Sequence, residues 1–317
     1  MLLPPPVQAT VLRPGIVWDE PPCPMCAGER RSPVLEAPDM GRGEPGLWFA
    51  VVRCDECGLQ FTSPRPNAET IGQFYPEQYR PHRRPRIKAR SVRSAPWAAL
   101  FGRPCVERRA LPWHGSGRLL DFGCGGGSFL ERMHRQGWQV TGIDNSSAAV
   151  EKVRSELGVT VLEGSLPHDD LPPASFDVIT MWHSLEHVHE PLKVLRAAYR
   201  LLTPGGRIVV AVPNIDSEPA RQFGPAWFGL DLPRHLTHFT PPTLKRMLER
   251  AGFRVGRVRM IRHSDWLRSS AVYAGRLRRE SWRQKLLVRK PLAKIAAWFH
   301  YLRGRSDCML AMGERTG

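Results

Sequence analysis

Ten residues in the second half of the chain, LPRHLTHFTP, bring one arginine and two histidines together between two prolines. Because proline fixes φ and lacks a backbone N–H, residues 232–241 are predicted to form an ordered loop. Two imidazoles that titrate near neutral pH suit acid–base chemistry, and an arginine suits an anionic group. Arg234, His235 and His238 are therefore candidate site residues.

Four of the seven cysteines form two CxxC pairs before residue 60, Cys23–Cys26 and Cys54–Cys57. Each pair presents two sulfurs from one tight turn, and two such turns predict a tetrahedral zinc site. A redox CxxC is the alternative, but that motif comes singly and beside a βαβ unit. Four sulfurs leave no open coordination position, so the predicted zinc is structural. The other cysteines are predicted to pack inside the protein: Cys105, Cys124 and Cys308.

A glycine-rich turn is predicted in LLDFGCGGGSFL, between a strand that ends at Asp121 and a helix that starts near Ser128. Glycines let the backbone approach a ligand closely at the carboxyl edge of a sheet. The turn is not the dinucleotide GxGxxG, since Ser128 stands where the last glycine belongs, and no Gly-Lys-Ser/Thr follows as in a P-loop. The turn contains Gly123, Gly125 and Gly127.

The elements that position this turn alternate from about Arg118 onward. Predicted strands lie in RLLDF, WQVTGID, VTVLEG, FDVITMW and RIVVAVPN, and helices such as SSAAVEKVRSEL and PLKVLRAAYRLL separate them, with PGG as a stop after the second helix. This alternation predicts an α/β fold with a doubly wound parallel sheet. Asp144 ends the second strand, where a carboxylate can accept hydrogen bonds from both ribose hydroxyls of a nucleoside.

The chain length of 317 residues predicts about two domains. We expect a zinc-ribbon-like domain over 1–78, a basic linker or helix over 79–110, and an α/β domain over 111–317, with a basic helical insertion over 263–305. The net charge of +16 leaves two interpretations open. It indicates an anionic partner, such as nucleic acid, a membrane surface or a phosphorylated substrate, or it reflects an arginine-rich solvated surface.

The amino terminus MLLPPPVQAT has no basic region and no uninterrupted apolar helix, so no secretory signal is predicted. The chain also has no apolar run near the roughly 20 residues that span a bilayer. We therefore expect a cytoplasmic protein. Within the insertion, one helical face of LAKIAAWFHYL is apolar and its flanks are basic, which predicts peripheral membrane contact or packing on the sheet or a second subunit. That face contains Leu292, Ile295, Phe299 and Leu302.

The glycine turn, Asp144, Glu163-Gly164-Ser165 after the third strand and Phe176-Asp177 opening the fourth together resemble the class I S-adenosylmethionine-dependent methyltransferases over residues 115–262. Within them the chain is most similar to a bacterial subgroup with an N-terminal CxxC…CxxC zinc domain, through CGLQFTSPRP, FDVITMWHSLEHVHEP, LLTPGGRIVVAVPN and LPRHLTHFTPPTLKRMLERAGF. The resemblance implies that the methionine part of the cofactor lies in a cradle made by four residues: Asp121, Gly123, Gly125 and Gly127.

The same resemblance implies that Asp144 holds the ribose and that the backbone from Gly164 through Ser165 to Leu166 borders the adenine. His183 is expected between the cofactor and the acceptor, where packing is its alternative role. Among the histidines after the fourth strand, His187 is the candidate catalytic residue. In similar sugar C-methyltransferases a histidine matching His235 is the proposed base, so His235 is expected to deprotonate or orient the acceptor. His238 would support it, and Arg234 would hold an anionic group.

The implied function is methylation of a small molecule, at carbon or oxygen, with a sugar or a cell-envelope or secondary-metabolite precursor as the acceptor. An RNA methyltransferase with a zinc recognition module is an alternative. TMWHSLEH stands after the fourth strand in place of an Asn-Pro-Pro-Tyr-type loop, which argues against nucleic acid as the partner. The third interpretation, a non-catalytic membrane-docking homologue, is disfavoured by the intact glycine turn and Asp144.

Overall fold

The computed structural model describes residues 15–41, 47–75, 111–278 and 280–317. The predicted basic linker over 79–110 and Cys105 lie outside these residues. Chain-order strands are β1 (Trp18–Asp19), β2 (Arg31–Pro38), β3 (Trp48–Cys54), β4 (Gln60–Thr62), β5 (Arg65–Pro66), β6 (Arg118–Phe122), β7 (Gln139–Asp144), β8 (Thr160–Glu163), β9 (Phe176–Trp182), β10 (Leu202–Pro213), β11 (Thr237–His238), β12 (Arg254–Val255), β13 (Arg259–Ile261) and β14 (Cys308–Glu314). The helices are α1 (Ser128–Arg135), α2 (Ser147–Leu157), α3 (Pro191–Leu201), α4 (Glu218–Phe223), α5 (Pro241–Arg250), α6 (Ser264–Arg276), α7 (Trp282–Leu286) and α8 (Lys290–Leu302).

The chain divides into two compact units. The first, here called the cysteine unit, comprises Met1–Glu77, His183–Arg196 and Val210–Gly313. The second, here called the glycine-turn unit, comprises Gln78–Trp182, Ala197–Val209 and Glu314–Gly317. The domain boundaries predicted from the sequence remain predictions.

The glycine-turn unit contains parallel strands in the order β9-β6-β7-β8, with β10 beside β9. Every residue of β9 is buried, as expected for a parallel strand that is covered on both faces. The Ser146 side chain accepts a hydrogen bond from Ala149 N and caps α2, which ends at Gly158 in the left-handed conformation. The alternating pattern from Arg118 onward therefore predicted this Rossmann-like sheet correctly.

Two details of the sheet differ from the sequence prediction. Helix α3 ends at Leu201 and β10 begins at Leu202, so the PGG at 204–206 lies inside the strand and does not separate helix from strand. Strand β13 pairs antiparallel with β14, so the sheet is mixed. This antiparallel pair lies after β10, the fifth strand of the alternating pattern. The alternation of strands and helices ends there, so a parallel crossover is no longer required.

In the cysteine unit, strands β2, β3, β4 and β11 form one sheet in the order β11-β4-β3-β2. Its buried apolar side chains come from the N-terminal strands, from the 215–232 segment and from helices α6 and α8. They form one core made of Ala37, Phe49, Val51, Phe74, Ile215, Phe223, Ala226, Trp227, Leu230, Leu232, Leu267, Ala271, Ala274, Ala293 and Ala297. The N-terminal strands therefore share their core with residues more than 140 positions later.

The predicted basic insertion over 263–305 consists of α6, α7 and α8, and β14 follows as the predicted last strand. Ala293 and Ala297 bury one side of α8 in the shared core, whereas Ile295, Phe299 and Leu302 are 57%, 54% and 64% exposed. Among the described residues, the structure contains no helix with the length and apolarity that a membrane span requires.

Candidate functional site

The glycine turn joins β6 to α1 at the carboxyl end of the strand, as predicted. Gly123, Gly125 and Gly127 all have positive φ, which side chains other than glycine rarely adopt. At Gly127 a Cβ atom would also lie 2.8 Å from both methyl groups of Val153. The turn is anchored because Gly123 N donates to Ile143 O over 2.8 Å. Its backbone therefore has the conformation needed for close approach of a ligand.

Asp144 is the last residue of β7, and its carboxylate is bound to the glycine turn. Oδ2 accepts from Gly125 N over 2.8 Å, and Oδ1 accepts from Ser146 N over 3.0 Å. Each carboxylate oxygen has two lone pairs, so one on each remains for a further donor. Asp144 thus joins the ends of two adjacent strands, β6 and β7, where a nucleoside would be held. The ribose role of Asp144 stays a prediction.

Other residues assigned to the cofactor lie at the same edge of this unit. Asp121 is buried and accepts from Thr180 Oγ1 over 2.6 Å. Gly164 follows β8, its N–H donates to Asp144 O over 2.9 Å, and Ser165 is half-buried. Burial raises the pKa of the Cys124 thiol, so this cysteine is an unreactive packing residue, as predicted.

The four paired cysteines converge in the cysteine unit. Cys23 Sγ lies 3.5 Å from Cys57 Sγ, Cys26 Sγ lies 3.5 Å from Cys54 Sγ, and all four sulfurs lie within 4.8 Å of one another. A tetrahedral zinc ion with Zn–S bonds of about 2.3 Å separates its sulfurs by about 3.8 Å. The sulfur positions therefore fit a zinc ion.

The two CxxC turns have matching backbones. Ala27 N donates to Cys23 O over 2.8 Å, and Gly58 N donates to Cys54 O over 2.9 Å. Ala27 and Gly58 both have positive φ, at 60° and 73°. Burial raises the pKa of the Cys57 thiol to about 11. These four sulfurs could hold a metal ion, which binds the thiolate form.

Residues 232–241, here called the histidine loop, belong to the cysteine unit. They contain His235, whose ring is almost fully buried. His235 Nδ1 lies 2.9 Å from Gly229 O. A carbonyl only accepts hydrogen bonds, so Nδ1 carries the hydrogen and Nε2 keeps its lone pair. Nε2 lies 3.9 Å from Asp231 Oδ2 and 4.0 Å from Glu186 Oε1. A proton taken up at Nε2 would therefore be stabilised by two carboxylates.

Glu186 is fully buried beside this histidine. Among the described residues, neither carboxylate oxygen has a hydrogen-bond partner, although His183 Nδ1 lies 3.4 Å from Oε1. Burial raises the pKa of Glu186, and burial lowers the pKa of His235. His235 is therefore a neutral imidazole near pH 7, which is the form that a general base requires.

His187 lies against His235, with ring centroids 4.6 Å apart. Its Nδ1 lies 3.0 Å from both Tyr75 Oη and Arg234 O. Burial, with a contribution from His235, lowers the pKa of His187 to about 4, so it too is neutral near pH 7. The structure thus brings together two of the three histidines that the sequence named as catalytic candidates.

His238 lies in strand β11, so part of the segment predicted as a loop is a short strand. Thr62 Oγ1 donates to His235 O over 2.8 Å and lies 3.1 Å from His238 Nε2. The hydroxyl has one hydrogen, which the carbonyl receives, so His238 Nε2 carries a hydrogen and donates it to Thr62. Burial lowers the pKa of His238 to about 3. These contacts favour the supporting role predicted for His238.

The predicted role of Arg234 as holder of a substrate anion is wrong. Its side chain is 1% exposed, and its charge is bound by two carboxylates of the protein itself. Arg234 Nη2 lies 2.6 Å from Asp231 Oδ1 and 2.9 Å from Asp39 Oδ1, and Nη1 donates to Phe74 O over 3.0 Å. These partners raise the pKa of Arg234 despite its burial. The arginine braces the loop, because a buried charge requires neutralisation inside the protein.

His183 follows β9 and adopts a positive φ of 56°. Its Nε2 lies 3.7 Å from Cys308 Sγ, and its ring contacts Trp266 at a centroid distance of 5.1 Å. Cys308 is fully buried, as predicted for a packing residue. The cofactor contact assigned to His183 stays a prediction.

Sequence reasoning missed the side chains that hold the histidines. Asp39, Thr62 and Tyr75 come from the N-terminal segment, far along the chain from the residues they contact, and no local pattern marks them. Asp231 is different, since it stands three residues before Arg234 in GLDLPRH. An acid so close to an arginine and a histidine was a detectable signal.

Comparison with known proteins identifies the family. A family model described as "Methyltransferase domain" matches residues 94–258, just over half of the chain. Ubiquinone biosynthesis O-methyltransferase from Aeromonas salmonicida (strain A449) is 35% identical over 150 residues, 44% of this chain and 63% of that protein. The protein of the same name from Pseudomonas aeruginosa (strain LESB58) is 39% identical over 103 residues, 31% of this chain and 44% of that protein.

The chain thus matches less than two thirds of the length of either relative. Among solved structures, an S-adenosylmethionine-dependent methyltransferase from Mesorhizobium loti is 24% identical, with a TM-score of 0.46 over 65% of this chain and 94% of that one. Since the family model covers the glycine turn, Asp144 and strands β6 to β10, the chain belongs to the methyltransferase domain family, among the class I S-adenosylmethionine-dependent methyltransferases with a Rossmann-like fold.

Proposed function

We propose that this protein transfers the methyl group of S-adenosylmethionine to a small-molecule acceptor. The observation that carries the proposal is the bond between Asp144 and Gly125, which joins the acid of β7 to the glycine turn after β6. This arrangement presents a carboxylate for the ribose and a glycine backbone that the methionine part of the cofactor can approach closely. Asp121, Gly123, Gly127, Gly164 and Ser165 complete the proposed cofactor cradle, and His183 remains a proposed cofactor contact.

The proposed acceptor chemistry depends on the cluster of Glu186, His187, Asp231 and His235. The cofactor supplies an activated methyl group on a cationic sulfur, so the protein must align the acceptor and take up its proton. His235 Nε2 is the proposed base or orienting group, because it keeps its lone pair and lies within about 4 Å of two carboxyl groups that would stabilise a proton taken up there. His187 is proposed to contact the acceptor, and His238 is proposed to hold the loop.

The acceptor class is proposed from two sources. The relatives' name, ubiquinone biosynthesis O-methyltransferase, supports transfer to an oxygen of a small molecule. The zinc-bearing subgroup that the sequence resembles supports a sugar or a cell-envelope or secondary-metabolite precursor, with methylation at carbon or oxygen. In either case the acceptor must release a proton, and the histidine cluster has the groups for that step.

We also propose a structural zinc ion at Cys23, Cys26, Cys54 and Cys57, as in that subgroup. A further proposal is peripheral membrane contact of a cytoplasmic protein through α8. Supporting it, the exposed face of Ile295, Phe299 and Leu302 lies in a segment, Ser281 to Arg305, with seven Lys or Arg side chains and no acid. Such a face suits an anionic interface.

The test begins with calorimetry of the full chain with S-adenosylmethionine, where we expect one binding site. Transfer of a labelled methyl group is then compared between pools of phenolic, sugar-nucleotide and lipid-precursor acceptors and total RNA. Labelling of a small molecule supports the proposal. Labelling of RNA, or RNA binding that falls steeply with salt, would favour the RNA alternative instead. If the protein does not bind S-adenosylmethionine, both the small-molecule and the RNA methyltransferase proposals are rejected.

A further inference from the structure

The histidine loop belongs to the sheet of the N-terminal cysteine segment, residues 15–75. Strand β11 pairs antiparallel with β4, so that Thr237 is opposite Phe61 and His238 is opposite Gln60. Thr62 N extends this pairing by donating to Leu236 O over 3.0 Å. The backbone on either side of His235 is therefore fixed by a strand that precedes it by about 175 residues.

The hydroxyl of Thr62 fixes two histidines at once. It donates to His235 O over 2.8 Å and accepts from His238 Nε2 at 3.1 Å. Thr62 is fully buried, so water does not replace either bond if the hydroxyl is removed. Thr62 thus fixes the position of the His235 backbone carbonyl and the tautomer of His238.

Two other side chains of the same segment hold the remaining members of the cluster. Asp39 Oδ1 lies 2.9 Å from Arg234 Nη2, and Tyr75 Oη lies 3.0 Å from His187 Nδ1. The segment therefore supplies one polar side chain to Arg234, one to His187 and one to the pair of His235 and His238.

The cysteine turns determine where Thr62 lies. Cys54 ends β3, and its N–H donates to Leu59 O across the second CxxC turn over 2.9 Å. Beyond that turn β4 returns along β3, with Thr62 opposite Val51. A metal ion that holds Cys54 and Cys57 to the first pair would thus fix the turn from which β4, and then β11, is built.

We propose that the cysteine segment is the frame of the histidine cluster, that Thr62 is its central positioning residue, and that metal occupancy at the four cysteines controls the order of the loop. This inference rests on the proposed roles of His235 and zinc. It assigns the segment a function in arranging the acceptor side of the reaction, in place of a separate recognition module for nucleic acid.

The first experiment compares Thr62→Val, which removes the hydroxyl at nearly constant volume, with Thr62→Ser, which retains it. Ser32→Ala is the matched control, because Ser32 lies in the same sheet and its hydroxyl bonds only to the exposed side of Asp55. Nitrogen NMR of the histidines should show that Thr62→Val changes the tautomer signal of His238, whereas Thr62→Ser and Ser32→Ala preserve it. An unchanged His238 signal in Thr62→Val would overturn the inference.

On an identified acceptor, Thr62→Val should lower kcat by about tenfold to hundredfold, since a misplaced catalytic group costs up to about that much. The affinity for S-adenosylmethionine should stay within a few-fold of wild type. Thr62→Ser should recover most of the rate. Equal rates for Thr62→Val and wild type, or equal losses in Thr62→Val and Thr62→Ser, would contradict the positioning role.

The second experiment removes zinc from the purified full chain with a chelator and follows hydrogen exchange, which needs no acceptor. Amides of β11, residues 237–238, which pair with β4, should lose protection, while those of β6, β7 and β9 keep it, and zinc should restore the protected state. Retained protection at 237–238 would reject the inference even if the protein is a methyltransferase. Conversely, full activity of His235→Ala together with loosening of the loop on chelation would support the positioning role of the cysteine segment and reject His235 as the base.

Discussion

The guanidinium of Arg234 lies against the carboxylate of Asp231, with Nη2 2.6 Å from Oδ1. Together with Asp39, Asp231 neutralises the positive charge of Arg234 inside the protein. The sequence predicts instead that this charge binds an anionic group of the substrate. Arg234 also orients Asp231 so that its other oxygen, Oδ2, lies 3.9 Å from His235 Nε2. The arginine therefore orients a carboxylate that lies beside the proposed base.

Replacing Arg234 should destabilise the protein strongly. Arg234→Met leaves the buried carboxylate of Asp39 and the half-buried carboxylate of Asp231 without their partner, which costs up to about 3–5 kcal/mol in the free energy of unfolding. The control is Arg221→Met, since Arg221 forms an exposed pair with Asp216 and such pairs contribute about 0–1 kcal/mol. Denaturant unfolding of both variants measures the difference. Equal stability of the two variants would show that the buried pair is not needed.

The same pair predicts a pH dependence of stability. Burial raises the pKa of Asp231, but the charge of Arg234 outweighs it and the net pKa is lowered. A depressed folded-state pKa contributes stability that is present above the unfolded pKa, near 3.9, and is lost as pH falls through the folded value. Wild-type stability should therefore decrease below about pH 4, and this part of the decrease should be absent in a variant that lacks Asp231. Unfolding curves between pH 2 and 6 test it.

Asp144→Ala should weaken S-adenosylmethionine binding by at least tenfold. A hydrogen bond to a charged group contributes about 1.5–3 kcal/mol at most, and the variant loses the ribose acceptor together with the anchor of Gly125. Calorimetry measures the affinity, with Asp169→Ala as the control because Asp169 is an exposed acid of the same unit. Equal affinity of Asp144→Ala and wild type would refute the ribose assignment.

His235→Ala should reduce turnover by about 10²–10⁴ while the affinity for S-adenosylmethionine changes little, because a general base contributes about that factor. Burial lowers the pKa of His235 below its usual value near 6.5, so its base form is complete at neutral pH. The wild-type rate should accordingly rise with pH on the acid side and level off by about pH 7. His134→Ala, an exposed histidine on α1, serves as the control. Turnover within a few-fold of wild type would make His235 a structural residue.

Purified protein should contain one zinc ion per chain. Substituting a buried ligand, as in Cys54→Ser, should abolish zinc retention and loosen the N-terminal strands, because the ligands converge only in the folded chain. The strands of the glycine-turn unit should stay folded. Elemental analysis and circular dichroism measure the two effects, and Cys308→Ser, outside the four-sulfur set, is the comparison. A wild-type protein without zinc or iron would disprove the metal site.

Vesicle co-sedimentation should increase with the fraction of anionic lipid and decrease with salt, since each Lys or Arg near such a surface contributes about 1 kcal/mol. Serine at Ile295, Phe299 and Leu302 together should abolish the binding. Val34→Ser removes a similarly exposed apolar side chain on β2 and should leave it unchanged. Co-sedimentation that does not depend on the fraction of anionic lipid would instead favour packing of this face on a second subunit.

Local patterns were sufficient for much of the fold and for the glycine turn. The strands of the glycine-turn unit are short β-rich runs separated by helical patterns, and the turn after Asp121 depends on glycines that lie within five residues of one another. The two CxxC turns are equally local, so their four sulfurs were identified from spacing alone. Helix α8 was recognised from its 3.6-residue period. Its buried side, however, is formed by Ala293 and Ala297, and the periodic apolar face is exposed at Ile295, Phe299 and Leu302.

The tertiary structure alone decided what surrounds His235. The sequence named His235, His187 and His238 but placed Arg234 on the substrate, because an arginine in a loop carries no mark of the buried carboxylates that neutralise it. Thr62, Asp39 and Tyr75 reach these residues across 110 to 195 positions of chain. A hydrogen bond between such distant residues depends on how β4 and β11 pair, and strand pairing is set by the whole sheet and its core, not by neighbouring residues in the sequence.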